Sequence, residues 1–292
     1  MNVLELVTEH CLQLEADGRS APAIHQMKQH GKLFAQWLAS VGASDTVADL
    51  TPPIVARFLA SPMALKRHDG KPKLTSTMNA LRTSMRCLLR FAHDSGFAPQ
   101  NAARLVRRAP CATPPPRAMP PDDVEKLLAT LAAAEGPIAA REHALFHLIA
   151  ATGLRVGSVL ALHVEHVDLR AGTIRIEKAK GGMRGRVYLN REIREILVRF
   201  IGDRKSGPLF ANRAGRPLTN RHAQVKLAEW LARAGVEQKY SPHSLRHSFA
   251  MELLGRTGDL ALVRDALLHR SFESTLRYAR SDEQRLRAAL GA

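Results

Sequence analysis

This sequence predicts a mostly α-helical protein with one small antiparallel β-sheet, divided into two domains. Three observations lead there. Apolar side chains recur at helical spacing through much of the 292 residues. A proline-rich segment, Arg107 to Arg117, puts four prolines within seven residues (Pro110, Pro114, Pro115 and Pro116). That removes amide donors and favours extended backbone, so neither a helix nor a central strand crosses it. Two short runs of alternating polarity, Thr173 to Glu177 and Gly185 to Leu189, flank a glycine-containing stretch and read as a hairpin. The expected division is residues 1–108 as an N-terminal helical domain, 109–117 as linker, and 118–292 as a second domain with a C-terminal tail.

Before the linker, residues 22–40 set Ile24, Met27, Leu33, Phe34, Trp37 and Leu38 near one stripe. Residues 75–95 do the same with Met78, Leu81, Met85, Leu88, Leu89 and Phe91, starting from a Thr75/Ser76 cap. The other face of this helix carries Arg82, Arg86 and Arg90 at i, i+4 and i+8, so the three project together. A solvated face and a phosphate-tracking face fit that pattern equally. After the linker, Pro120-Pro-Asp-Asp-Val opens a helix with prolines at its entry and acids in its first turn. A long apolar segment around Leu145 to Ala151 stops at Thr152-Gly153. Lys178-Ala-Lys-Gly-Gly-Met-Arg forms the basic tip of the hairpin, and the remainder reads as helices over 190–201, 219–235, 242–255, 259–268 and 272–289.

Hydrophobic residues make up 45 % of the chain, enough for a core in each domain and too many for general disorder. Net charge is +16 and the pI about 10.6. The excess is spread over both halves: 14 Lys and Arg against 8 Asp and Glu in residues 1–110, and 29 against 19 in 111–292. A polyanion held by both domains is the partner this implies, with nucleic acid the leading candidate because phosphate neutralisation releases counterions. The three cysteines (Cys11, Cys87, Cys111) are scattered and include no CxxC pair, which argues against a disulfide scaffold or zinc ribbon and fits a reducing cytosol. Neither a signal peptide nor a membrane-length apolar run is visible, so a soluble cytoplasmic protein is expected.

Several residues stand out for their chemistry. Arg155, in Thr-Gly-Leu-Arg-Val, lies between apolar neighbours and is costly to bury unless it meets an anion or an acid. In Ser241-Pro-His-Ser-Leu-Arg-His, Ser241 and Pro242 make a helix start, and His243 and Arg246 share one face near that positive end. A plain amphipathic helix fits the same spacing. A His243/His247 metal pair lacks an HExxH acid and a third ligand, so no metal is expected. Lys180 sits at the hairpin tip beside Lys178 and Arg184. Tyr278 follows His269 by nine residues, and composition alone does not choose it over Tyr188 or Tyr240.

Together these pieces resemble the tyrosine recombinase (phage-integrase-like) family, nearest in layout to bacterial Xer-type recombinases. The family's Thr-Gly-Leu-Arg turn is matched at Arg155, its hairpin lysine at Lys180, and its His-x-Leu-Arg-His at His243 to His247. Its closing histidine and tyrosine are matched by His269 and Tyr278. Two departures accompany the match. Gly157-Ser158 stands where the family usually has serine followed by an acid, and Leu267-Leu268 replaces the usual Leu-Gly before His269. Neither removes a catalytic group.

The resemblance implies an N-terminal helical, SAM-like DNA-binding domain and a C-terminal tyrosine-recombinase catalytic domain, clamped around duplex DNA. It implies that Tyr278 attacks the scissile phosphate to form a 3′-phosphotyrosyl link. Arg155 and Arg246 then hold the non-bridging oxygens, His269 adds a hydrogen bond, His243 accepts or positions the phenolic proton, and Lys180 protonates the leaving 5′ oxygen. No cofactor is expected, and no GxxxxGK[ST] loop occurs in the chain. Double-stranded DNA is the implied partner, with a homotetramer, or a heterotetramer with a related recombinase, on paired sites. Arg82, Arg86 and Arg90, and Arg213, Arg216, Asn220 and Arg221, are the expected DNA contacts, mostly to phosphate. Type IB topoisomerase-like relaxation, or DNA binding without catalysis, are the alternatives.

Overall fold

The computed structural model describes residues 1–112, 116–177, 185–269 and 271–279. The chain forms two compact units, Met1–Thr113 and Pro114–Ala292, meeting within the proline-rich segment.

The first unit is helical: α1 (Val3–Ala16), α2 (Ala21–Ser40), α3 (Pro52–Ala60), α4 (Pro62–Leu65) and α5 (Thr75–Asp94). Helix α1 starts at a capping box. The Asn2 side chain accepts from the amides of Leu4 and Glu5, and the Glu5 carboxylate accepts from the Asn2 amide, all at 2.9 Å. Gly31 lets α1 and α2 approach closely, since a Cβ there would lie 2.2 Å from Cγ2 of Val7. Phe34, Trp37 and Phe58 form an aromatic cluster at the centre, with centroids 4.9–6.4 Å apart. Helix α5 buries Met78, Leu81, Met85, Leu88 and Leu89 as expected. Its N-cap, however, is Leu74, without a side-chain hydrogen bond, so Thr75 and Ser76 occupy the first turn and do not cap it.

The second unit begins with α6 (Pro121–Ala132), α7 (Pro137–Thr152) and the short α8 (Val156–Leu160). A three-stranded antiparallel sheet follows in the order β1 (Val167–Asp168), β2 (Thr173–Ile176), β3 (Gly185–Tyr188). The two-residue β1 adds an edge strand to the expected hairpin. Ile174 pairs with Val167 on one side and Val187 on the other; Ile174, Ile176 and Val187 face inward, while Arg175, Arg186 and Tyr188 are exposed. Among the described residues five helices follow: α9 (Arg191–Ile201), α10 (Asn220–Arg233), α11 (Pro242–Thr257), α12 (Leu260–Ala266) and α13 (Glu273–Ala279). Glu142 of α7, only 1 % exposed, holds α10 by accepting from the Trp230 indole, and Arg141 donates to it at 3.2 Å. A buried carboxylate is tolerated here because both oxygens are paired.

The ends of the linker are fastened by side chains that imitate a strand partner. In the first unit the Asn79 amide donates to the Ala109 carbonyl and its oxygen accepts from the Ala109 amide, both at 2.9 Å. In the second, the Ser248 hydroxyl accepts from the Met119 amide at 2.8 Å and lies 2.7 Å from the Met119 carbonyl oxygen.

Two left-handed residues set the turns that carry the candidate site. Gly153 ends α7 at φ 62°, and a Cβ there would lie 2.3 Å from Phe249 and 2.7 Å from Leu267. Leu268 adopts φ 50°, the one non-glycine with positive φ among the described residues, at the position where the family pattern has glycine. Its side chain is seated against Gly185, where a Cβ would lie 2.6 Å from Leu268 Cδ2, so β3 abuts the turn before His269.

Gly153→Ala combines a left-handed penalty of about 1–2 kcal/mol with a clash of about 1–3 kcal/mol. Thermal unfolding of the second unit is expected to drop by about 10 °C. Leu268→Gly sets relief of about 1–2 kcal/mol against loss of about 1–2 kcal/mol of apolar burial at this half-buried side chain and about 0.5–1 kcal/mol of added chain entropy. Denaturant unfolding is expected to show a net loss near 1 kcal/mol (about the difference of these figures), so restoring the family's glycine does not stabilise this chain.

Candidate active site

Arg246 is the centre of the arrangement. It lies in the second turn of α11, whose N-terminus carries Pro242 in the first turn and a Ser241/Ser244 capping box. The guanidinium is 2 % exposed, with Nη1 donating to the Gly153 carbonyl and Nη2 donating to the Leu267 carbonyl at 3.0 Å. Burial, then the neighbouring Arg155, depress its pKa to about 10, against the favourable field of Tyr278. It therefore remains charged at neutral pH. Arg155, at the N-cap of α8, is half-buried. Burial lowers its pKa too, and Tyr278 again opposes the shift. The two guanidinium groups and the phenol thus lie within electrostatic reach of one another.

Tyr278 projects from α13 and is 1 % exposed, its ring packed with Ala250, Leu254, Val263 and Leu267 in a small cluster beneath α11 and α12. Nδ1 of His247 lies 2.8 Å from the Tyr278 hydroxyl, with the rings T-shaped at 61°. The residue against the phenol is therefore His247, while His243 is exposed in the first turn of α11 and presents its ring to His247 at 5.1 Å. His269 is 7 % exposed; its Nδ1 is 2.8 Å from the Thr275 hydroxyl and its amide donates to the Arg264 carbonyl at 3.0 Å. Lys180 lies outside the described residues; the strands on either side of it, β2 and β3, are described, and β3 begins against Leu268.

The structure thus brings Arg155, Arg246 and Tyr278 together, and the carbonyl of Leu267 ties the His269 turn to the same guanidinium. His247 and Thr275 were not singled out as active residues by sequence. The signals for His247 were its i+4 spacing from His243, weighed as a metal pair, and its place at the end of the His-x-Leu-Arg-His motif; Thr275 has no sequence signal. Among the described residues, no group of three His, Cys, Asp or Glu has metal-binding geometry.

The expected DNA contacts fall in two places. On α5, Arg86 and Arg90 are exposed, but Arg82 is half-buried and its Nη1 donates to Asn79 at 3.1 Å, so the three do not project equally. Arg86 and Arg90 line a concavity of about 440 Å³ with Arg104 and Arg108, two arginines outside the sequence expectation. Arg90 is also 4.0 Å from Asp94, a weak exposed pair. The Asn79 clasp on Ala109 holds this arginine-bearing segment beside α5. In the second unit, Arg213 and Arg216 sit on an exposed turn organised by Asn212, whose side chain accepts from Ala214 and Arg216 amides. Asn220 and Arg221 open α10, and the Asn220 amide lies over Gly157 of α8, beside Arg155. A Cβ at Gly157 would lie 3.7 Å from Asn220, an ordinary van der Waals contact.

Comparison with known proteins gives a consistent result. The profile of the phage integrase family matches residues 117–285. Tyrosine recombinase XerD of Ralstonia nicotianae is 29 % identical over 280 residues, 93 % of this chain and 87 % of that protein. Tyrosine recombinase XerC of Yersinia pestis is 30 % identical over 213 residues, 71 % and 69 % of the two chains. Among solved structures, the XerH site-specific recombinase bound to palindromic difH substrate in a post-cleavage complex superposes with a TM-score of 0.75 at 23 % identity, covering 97 % of this chain and 83 % of that one. A lambda integrase dimer bound to a COC′ core site gives 0.70 at 16 % identity, covering 93 % and 96 %. At those identities the two structures speak for the fold, and the sequence matches speak for the family: the chain belongs to the phage integrase family, as a Xer-like tyrosine recombinase.

Proposed function

We propose that this protein is a site-specific DNA recombinase that cuts and rejoins strands through a 3′-phosphotyrosyl intermediate on Tyr278. The observation that carries the reading is that two buried or half-buried arginines lie within electrostatic reach of one buried tyrosine whose hydroxyl is hydrogen-bonded to a histidine. A structural ion pair would call for a carboxylate beside Arg246; its hydrogen bonds go instead to two main-chain carbonyls. Fixed positive charge beside a nucleophile suits a phosphodiester, whose charge rises at the equatorial oxygens as the phenol attacks.

In this reading Arg155 and Arg246 clamp the non-bridging oxygens, because guanidinium forks match phosphate geometry. His269, oriented by Thr275, supplies a further donor to the same oxygens from Nε2. His243, exposed at the positive end of α11, faces the incoming DNA. Lys180 is the general acid for the leaving 5′ oxygen. The covalent link stores the phosphodiester bond energy, and a 5′ hydroxyl from a partner strand reverses the step to complete the exchange. The exchange calls for four protomers on two paired duplex sites, of one kind or of two related kinds. The tail, residues 282–292, is then a segment for docking on a neighbour; it lies outside the described residues. Such an enzyme works where the DNA is, in a bacterium the cytoplasm.

Incubation with a nicked suicide duplex tests the chemistry. The unaltered chain is expected to form a covalent adduct, and Tyr278→Phe none; an adduct persisting in Tyr278→Phe would sink the assignment. Paired recombination sites, compared with relaxation of a supercoil, separate strand exchange from topoisomerase-like activity.

The basic face is tested through salt. Each phosphate contact contributes about 0.9 to the slope of log K against log salt concentration. Replacing Arg86 and Arg90 by Ala is expected to flatten that slope by about 2 in a duplex-binding titration, with little change in sequence preference.

A further inference from the structure

We infer that Arg104 and Arg108, with Arg86 and Arg90, form one cradle for the phosphates of a DNA strand, and that Asn79 is the positioning residue that builds it. The inference rests on the recombinase reading above. It adds a second wall of contacts, just before the proline-rich linker, at residues that neither helical spacing nor a motif marks.

The concavity, of about 440 Å³, has two walls. Arg86 and Arg90 line it from α5, four residues apart and so on one face of the helix. Arg104 and Arg108, both exposed, line it from the chain that returns after α5. Every charged residue in the lining is an arginine. Four like charges gathered on one concavity repel one another until an anion enters. A phosphodiester backbone relieves that repulsion, and guanidinium forks match its geometry. Asp94, 4.0 Å from Arg90 in an exposed pair, offsets little of the charge. Asn101 also lines the cradle; its side-chain oxygen accepts from the Ala103 amide at 3.0 Å, which leaves its amino group as a neutral donor.

The second wall is fastened at both ends. Ala102 and Ala103 are buried in the core of the first unit, at 3 % and 2 % exposed. At the far end, the Asn79 amino group donates to the Ala109 carbonyl and its oxygen accepts from the Ala109 amide. The same oxygen accepts from Arg82, so this buried amide is satisfied on both sides. Asn79 touches none of the four cradle arginines through these bonds. It acts by placing Arg104 and Arg108 opposite Arg86 and Arg90 before DNA arrives, so their ordering is not charged to the binding step.

The salt dependence of binding to a mixed-sequence duplex, measured with the full chain, tests both halves. Each phosphate contact contributes about 0.9 to the slope of log K against log salt concentration. Replacing Arg104 and Arg108 by Ala is expected to flatten the slope by about 2. Asn79→Leu keeps all four arginines, yet it is expected to flatten the slope by a similar amount and to weaken binding about 5–100-fold. Adding Asn79→Leu to the Arg104→Ala, Arg108→Ala chain is then expected to flatten it no further. A purely structural role for Asn79 predicts otherwise: a misfolded fraction lowers the amount of active protein and leaves the slope where it was. An unchanged slope in the double arginine variant overturns the cradle, and an unchanged slope in Asn79→Leu overturns the positioning role.

A second variant does not disturb α5. Ala109→Pro removes the amide that donates to Asn79 and leaves the helix untouched. It is expected to flatten the slope as Asn79→Leu does, and it decides the positioning role should Asn79→Leu fail to fold; a slope like that of the unaltered chain overturns that role. The same preparations are assayed for Tyr278-dependent adduct on a nicked suicide duplex. If the unaltered chain forms none, the recombinase reading itself fails; if it does and the slopes stay unchanged, that reading stands and this inference alone falls.

Discussion

A single buried charge organises the second unit. The Arg246 guanidinium has almost no contact with solvent, and hydrogen bonds from a charged donor are worth about 1.5–3 kcal/mol each when they are made. It makes two to main-chain carbonyls, at Gly153 and Leu267. Each carbonyl belongs to a residue two positions before a member of the site, Arg155 in one case and His269 in the other. Satisfying the arginine therefore draws two turns, more than a hundred residues apart in sequence, onto the first half of α11. Loss of either turn geometry leaves an uncompensated charge in a low-dielectric interior.

That arrangement explains two features of the turns. The α7 terminus needs a left-handed residue with no Cβ, because Phe249 and Leu267 close over it, and only glycine satisfies both demands. The second turn also needs a left-handed residue, yet this chain uses Leu268. The backbone strain is offset by apolar contact with β3, where Gly185 provides the matching space. The change from glycine to leucine thus exchanges a relaxed turn for one cross-linked to the hairpin, leaving His269 anchored both by its own side chain and by the residue before it.

Each unit also organises its own basic surface, and in both cases an uncharged amide does the placing. Asn79 clasps Ala109 and accepts from Arg82, fixing the segment that carries Arg104 and Arg108 beside α5. Asn212 closes the turn that displays Arg213 and Arg216, next to the α10 start that packs over α8. Phosphate binding of this kind depends on where the charges stand as well as on their number.

Much of this was legible in the order of residues. Helical periodicity located α2, α5 and α11 to within a residue or two, and the alternation of Thr173 to Glu177 and Gly185 to Leu189 located the hairpin. The first helix went unmarked although Asn2 and Glu5 have capping-box spacing, because its buried stripe of Val3, Leu6, Val7, His10 and Cys11 runs through a histidine. Motif order alone pointed to Arg155, Arg246, His269 and Tyr278, since local spacing and residue type identify which groups are present. Tertiary structure decided which group touches which. His243 stands three residues before Arg246 and His247 one after it, and only the packing of α13 against α11 sets Tyr278 beside the second of them. Hydrogen-bond pairing between segments 31 residues apart depends on that three-dimensional fit, which no local pattern encodes.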